Sequence, residues 1–194
     1  MSRRRCCAAW ALAVVVAAGC GPKAPPPYQD KQGLHFTPPR NWVPRARADA
    51  PGGEKMEQTL AHQRKLPLPP LTPTGKGPRE HLVVQYMRAE VGNHAWLRVT
   101  EADVSASASL GSCLAGRAPP GAWKRVGPPE QLEVGGQPAV RLALTGRHDE
   151  QDYLCETTAV RRGDKVYFFT ASLPAGDAAG RDEARQAVAG AAWD

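Results

Sequence analysis

The stretch from residue 132 to residue 172 constrains the fold more than any other part of the chain. Val140, Leu142 and Leu144 alternate with Arg141, Ala143 and Thr145, the two-residue period of a strand with one face turned inward. Val134, Gly135, Gly136 and Gln137 make a turn just before it, and residues 153 to 161 and 166 to 172 read as two further strands. Arg162, Gly163 and Asp164 form a tight turn between those two, so consecutive strands lie antiparallel, as a meander. Asp177 is then placed to cap a terminal helix, in which Ala184, Ala187, Val188, Ala191 and Ala192 recur on one face. Small alanines let such a helix lie close to a sheet, and Trp193 supplies a large closing contact at its end. The pattern predicts an α+β domain.

Upstream the signals are shorter. Leu34 and Phe36 alternate in a brief strand that Pro38 and Pro39 stop, and Trp42 re-enters the core. Residues 56 to 65 have a poor strand pattern, and residues 66 to 78 are a proline- and glycine-rich excursion. Residues 81 to 87 read as a strand with Leu82, Val84 and Tyr86 on one face, and residues 96 to 104 as another. Small polar residues break the pattern at 105 to 109, and a short helix carrying Cys113 is expected over 110 to 117.

The N-terminus has a different logic. Arg3, Arg4 and Arg5 precede an uncharged apolar run from residue 6 to residue 18, the order of a secretion signal. That run is too short for a hydrocarbon core, which needs about 20 apolar residues in a helix. Val16, Ala17, Ala18, Gly19 and Cys20 resemble the lipobox of bacterial lipoproteins, although the family usually has leucine where this chain has Ala17. The resemblance implies removal of residues 1 to 19, acylation of Cys20 with palmitate-type chains, and anchoring to a membrane of the cell envelope. Residues 20 to 33, with Pro22, Pro25, Pro26 and Pro27, then form a semi-extended tether, and residues 34 to 194 a single domain. Gly21 stands where aspartate would favour inner-membrane retention, so the outer membrane, facing the periplasm, is the expected destination.

Processing leaves 175 of the 194 residues, enough for one domain with a core. Loss of the three leader arginines lowers the net charge from +6 to +3. With no basic block or interleaved aromatic run left, a nucleic-acid role has no support. Of five cysteines, Cys6 and Cys7 leave with the leader and Cys20 carries lipid. Cys113 and Cys155 remain, either bridged, which would stabilise the domain by about 4 kcal/mol, or buried as two free thiols.

Gly33, Leu34, His35, Phe36, Pro39 and Trp42 resemble the opening of the PsbP-like family, with its glycine, aromatic strand and proline-tryptophan step. The hairpin at Gly135 and Gly136, the strand Val166, Tyr167, Phe168, Phe169, and a closing helix ending in Trp193 extend the likeness over most of residues 33 to 194. The resemblance implies an antiparallel sheet covered by helices, in a domain that mostly docks onto other proteins. It carries over no catalytic residue.

Motifs of chemistry are sparse. Gly75, Lys76 and Gly77 lack the earlier glycine and following hydroxyl of a phosphate loop. His148, Asp149, Glu150 and Asp152 cluster at a hairpin tip, where solvated polar residues collect without a metal. His35, His62, His81 and His94 have no zinc-hydrolase spacing. Ser112 and Cys113 follow Gly111 without the flanking pattern of a nucleophile elbow, and Arg162, Gly163 and Asp164 spell an adhesion tripeptide that is also an ordinary turn. Trp42, Trp96, Trp123, Tyr167, Phe168, Phe169 and Trp193 are expected mostly in the core. No metal or cofactor is expected. The leading expectation is a non-catalytic envelope module held to the membrane through Cys20 and binding an envelope protein. The alternatives are a carrier of a small molecule or lipid, lined by residues such as Trp96 or Phe168, and a hydrolase using Cys113 or Ser112.

Overall fold

A computed structural model describes residues 25–47, 79–88, 95–115, 117–119 and 121–194. The leader, Cys20, the weak strand at 56 to 65, the excursion at 66 to 78, His62 and His94 lie outside the described residues.

Strands β1 (Tyr28–Gln29) and β2 (Leu34–Phe36) open the chain, followed by β3 (Trp42–Arg47), β4 (His81–Arg88) and β5 (Trp96–Asp103). A five-residue helix α1 (Leu110–Leu114) and strands β6 (Trp123–Arg125) and β7 (Glu130–Val134) come next. Then the long meander β8 (Gln137–His148), β9 (Gln151–Arg162) and β10 (Lys165–Pro174) leads into helix α2 (Ala178–Ala189) and strand β11 (Ala192–Trp193).

The main sheet runs β3-β4-β5-β10-β9-β8, all pairs antiparallel, with β6 and β7 both against the outer edge of β8. The meander follows the sequence expectation, with each strand a few residues longer. β1, β2 and β11 form a second, three-stranded sheet. Pro44 sits in the edge strand β3 at an irregularity of register, a place that tolerates a missing amide donor.

The sheet dominates the domain. Of the helices expected to cover it, α2 lies on one face as a full C-terminal helix, and α1 is a single short turn on the other. Beneath α2, Ala184, Ala187 and Val188 pack with Val84, Tyr86, Leu97, Val99, Val160, Tyr167, Phe169 and Ala171. Phe36 of the small sheet joins this core edge-on, 6.0 Å from both the Tyr86 and Phe169 rings. The opposite face collects Ala102, Val140, Leu142, Ala159, Val166 and Phe168 against Cys113 and Leu114 of α1.

Three expectations are corrected. The closing helix does not reach Trp193: Gly190 caps it, and Ala192 and Trp193 turn back as a strand paired with His35 and Leu34. Gly135 makes this closure possible, because at φ +56° an added Cβ would stand 2.7 Å from the Ala191 carbonyl oxygen. A register shift between Leu82 and Val84 sets Leu82 opposite Thr100 and Val84 opposite Val99, so Leu82 leaves the face shared by Val84 and Tyr86. The helix carrying Cys113 ends at Leu114, three residues short of its expected limit.

Candidate functional site

The α1 face of the sheet is apolar at one end and polar at the other, and the polar end is where unusual chemistry gathers. Strand pairing places Gln85, Arg98, Thr170 and Thr157 in one row across four strands. Met87, Trp96, Ser172 and Cys155 make the next row on the same face. Neighbouring strands lie about 4.8 Å apart and same-face residues about 7 Å apart along a strand, so these side chains form one contiguous patch. All but Met87 are buried, Gln85 and Ser172 completely.

A buried ion pair borders the patch. Arg117, placed by its backbone bond to Leu114 at the end of α1, donates through Nη2 to Oε2 of Glu80 at 2.7 Å and through Nη1 to Oε1. Thr100 donates its hydroxyl to the same Oε2 at 2.6 Å, and the guanidinium lies over the Phe168 ring, 3.7 Å from its centroid. The two side chains are 4% and 1% exposed. Burial pulls the Arg117 pKa below its usual value, and the Glu80 carboxylate opposes that shift. Two parallel hydrogen bonds, a third from Thr100 and a cation–π contact support the pair, while Arg117 Nε stays without a hydrogen-bond partner.

Elsewhere the patch is incompletely satisfied. Thr157 and Thr170 share a hydroxyl bond of 3.2 Å. Both amide atoms of Gln85, the indole N–H of Trp96 and the hydroxyl of Ser172 are buried without a hydrogen-bond partner. Each such group costs about 1–3 kcal/mol relative to a satisfied one. Such orphans are not confined to this patch: Arg117 Nε and Glu101 Oε2 are also buried without a hydrogen-bond partner.

Cys155 ends the second row. Burial raises its pKa to about 12, against opposing influences from Arg98, Arg117 and a Thr157 hydrogen bond. It is therefore a protonated, unreactive thiol at neutral pH. Cys113 sits in the apolar half with Val140, Leu142 and Phe168. Of the two sequence alternatives, the structure shows free thiols rather than the bridge. The two cysteines belong to the two different halves of the face, one engaged with apolar neighbours and the other with the polar rows.

The remaining sequence candidates are dispersed. Ser112 donates its hydroxyl to the Ser109 carbonyl at 2.7 Å, and its amide receives the Ser109 side chain as a helix cap, so this serine serves α1. His148 approaches Asp149 at 3.6 Å at the β8–β9 turn, where Asp149 and Glu150 both take positive φ. Among the described residues no group of three or more His, Cys, Asp or Glu side chains is arranged to hold a metal. Arg162 of the tripeptide turn donates to the Asp194 carbonyl. Trp42, Trp96, Tyr167, Phe168 and Phe169 are core residues, and Trp123 and Trp193 are half-buried.

Beneath α2 the polar chemistry is structural. Glu156 accepts from Arg181 at 2.6 Å and from Arg185 at 2.6 and 2.8 Å, clamping the helix to β9. Burial alone would raise the Glu156 pKa, but the bonds and charges of Arg185 and Arg181 outweigh it and hold the carboxyl below its ordinary value. Arg88 fixes the N-cap Asp177 at 2.7 Å, and Asp177 in turn accepts the Gly180 amide.

Sequence reasoning missed the polar patch. Thr157, Thr170, Ser172, Gln85 and Arg98 look like the solvent side of alternating strands, and only the burial of both sheet faces reveals them as interior.

No protein-family model matches the chain, and no curated protein matches it. Solved structures do. The solution structure of cyanobacterial PsbP (CyanoP) from Synechocystis superposes with a TM-score of 0.52 at 12% identity, covering 93% of this chain and 99% of that one. The fold is PsbP-like. A crystal structure of LpqN, described as involved in cell envelope biogenesis of Mycobacterium tuberculosis, gives a TM-score of 0.53 at 11% identity over 86% of this chain and 88% of that one. A crystal structure from Bacteroides thetaiotaomicron matches 90% of this chain but 49% of that one, with a TM-score of 0.50 at 9% identity. At these identities the PsbP-like likeness speaks for architecture alone.

Proposed function

We propose that this protein is a lipoprotein of the bacterial envelope, anchored through Cys20 and working as a non-catalytic module that binds another envelope protein. The observation that carries the reading is a PsbP-like domain joined to a lipobox-type leader by a proline-rich spacer. The spacer gives the domain reach from a membrane, and LpqN supplies a protein of the same architecture associated with envelope biogenesis. The chemistry of Ser112 and Cys113 favours no hydrolase: the hydroxyl is bonded to its own helix and the thiol is packed among apolar side chains.

The open edge of the main sheet offers a place to look for the partner. There β6 and the residues after it carry Lys124, Arg125 and Val126, the last of them 46% exposed. A photo-crosslinking residue at position 126, introduced in cells, is expected to yield a discrete adduct in the membrane fraction, and Cys20→Ala is expected to abolish both the adduct and metabolic labelling with an alkyne fatty acid. Full-length, uncleaved protein in the cytosol would sink the anchoring. Turnover of a substrate by the purified protein, with no adduct from any edge position, would sink the binding role.

A further inference from the structure

We infer that the cavity enclosed by β1, the turn after it and the β4–β5 pair binds a small primary amine, whose ammonium pairs with Asp30 in the field of Glu101 while its apolar body rests on Tyr28, Leu82 and Val83. This goes beyond docking of a partner protein and does not depend on it.

The cavity holds about 550 Å³, within the roughly 300–1,000 Å³ of small-molecule sites. Its floor is apolar: Tyr28, Leu82 and Val83 line it and are 4%, 1% and 6% exposed. Its polar wall joins two segments distant in sequence, Asp30 and Gln32 in the turn between β1 and β2, and Glu101 in β5. Lys31 also lines the cavity, but as an exposed residue of that turn. A mostly apolar hollow with a few convergent polar groups is the usual form of a site for an organic molecule.

The wall groups differ in what they leave to a ligand. The Gln32 amide is engaged within the chain: Oε1 accepts Lys165 Nζ at 3.1 Å and the Tyr167 hydroxyl at 3.0 Å, and Nε2 donates to Glu101 Oε1 at 3.1 Å. Lys165 also donates to Glu101 Oε1 at 3.0 Å and forms a salt bridge with it. Asp30 uses only Oδ1, which accepts the backbone amides of Gln32 at 2.8 Å and Leu34 at 3.0 Å in an Asx turn. Its half-buried carboxylate keeps Oδ2 open and has no salt bridge among the described residues. The wall therefore offers a ligand an acceptor, and a carboxylate accepts from N–H or O–H alone.

Charge decides between those donors. The Tyr167 hydroxyl, bonded to Gln32 behind the wall, has its pKa raised by burial first and then by the negative charges of Glu101 and Asp30. Negative potential in a cleft with apolar walls concentrates cations. An alcohol brings one O–H and gains nothing from that field, whereas an ammonium brings three N–H donors and the charge. A bare metal ion would leave the apolar floor uncovered, and among the described residues no group of three or more ligands is arranged to hold one.

The test titrates the purified, detergent-solubilised full chain with hexylamine, and with 1-hexanol as the isostere without the charge. Near neutral pH hexylamine is expected to bind about tenfold more tightly than hexanol or better, the ratio that one charge-assisted hydrogen bond supplies. Asp30→Asn keeps an oxygen for the two turn amides and removes the charge. It is expected to weaken hexylamine about tenfold, to leave hexanol unchanged and to melt near the wild-type temperature. Glu101→Gln keeps an acceptor for Lys165 and is expected to weaken hexylamine by a smaller factor. The inference is overturned if hexylamine does not bind, if hexanol binds as tightly, or if both variants retain the wild-type affinity for hexylamine.

Discussion

The two faces of the main sheet are built on opposite principles. Under α2 the interior is apolar, and its few charges lie at the margin, where Glu156 meets Arg181 and Arg185 whose side chains are about a third exposed. Under α1 the apolar cluster covers only part of the face, and the rest is a buried polar field running from the Glu80–Arg117 pair to Gln85 and Ser172. Both faces hold fully buried side chains. The first is stabilised by the hydrophobic effect and packing, which need no partner beyond the chain. The second depends on hydrogen bonds that are mostly made around Glu80 and left open around Gln85.

Substitutions can separate these principles. The largest effects come from Phe169→Ala on the α2 face and Glu80→Ala on the α1 face, each expected to cost about 3–5 kcal/mol in chemical denaturation. They differ in rescue. Glu80→Met combined with Arg117→Met is expected to recover most of the loss, because an apolar pair replaces a desolvated ion pair, whereas no single partner change rescues Phe169→Ala. Failure of that double variant to recover would show that the pair organises the whole polar field rather than balancing itself.

Glu156→Gln comes next, at about 1–3 kcal/mol near neutral pH, moderated by solvent around the two arginines. Its sign with pH is fixed by the lowered pKa of Glu156 in the folded state. The clamp contributes fully above the ordinary carboxyl value of 4.5 and is lost as pH falls through the lower folded value. Acid denaturation of the Gln variant should therefore be shallower below that pH than in the wild type; parallel curves would remove Glu156 from the acid response.

The smallest effect sharpens the comparison most. Thr157→Val is expected to cost about 1 kcal/mol by orphaning the Thr170 hydroxyl and removing the bond to Cys155, while Thr157→Val with Thr170→Val is expected to recover the Thr170 part of that loss. A double variant as unstable as the sum of two singles would mean that the Thr157–Thr170 bond itself contributes nothing.

The polar field also explains what could not be read from the chain. Alternation located β8, β9 and β10 because Val140, Leu142 and Leu144 repeat with period two, and the cap at Asp177 with its alanine stripe located α2. Nothing in that alternation marked Thr157, Thr170 and Ser172 as interior, since polar residues in a strand read as its wet face. Leu82 was misplaced for a local reason: one extra residue in β4 reverses every side chain beyond it, and no residue type announces the bulge. Arg117 and Glu80 are 37 residues apart, so their pairing was invisible until the chain was folded.

The amino-acid sequence by itself determined the antiparallel meander and the capped helix after it, because these rest on periodicity and on short-range turn and cap chemistry. The tertiary structure alone decided that Ala192 and Trp193 pair as a strand with His35 and Leu34, that Cys113 and Cys155 remain apart as thiols, and that Gln85 and Ser172 lie inside. Those outcomes depend on which surfaces meet across distant segments, and burial, unlike periodicity, is a property of the assembled fold.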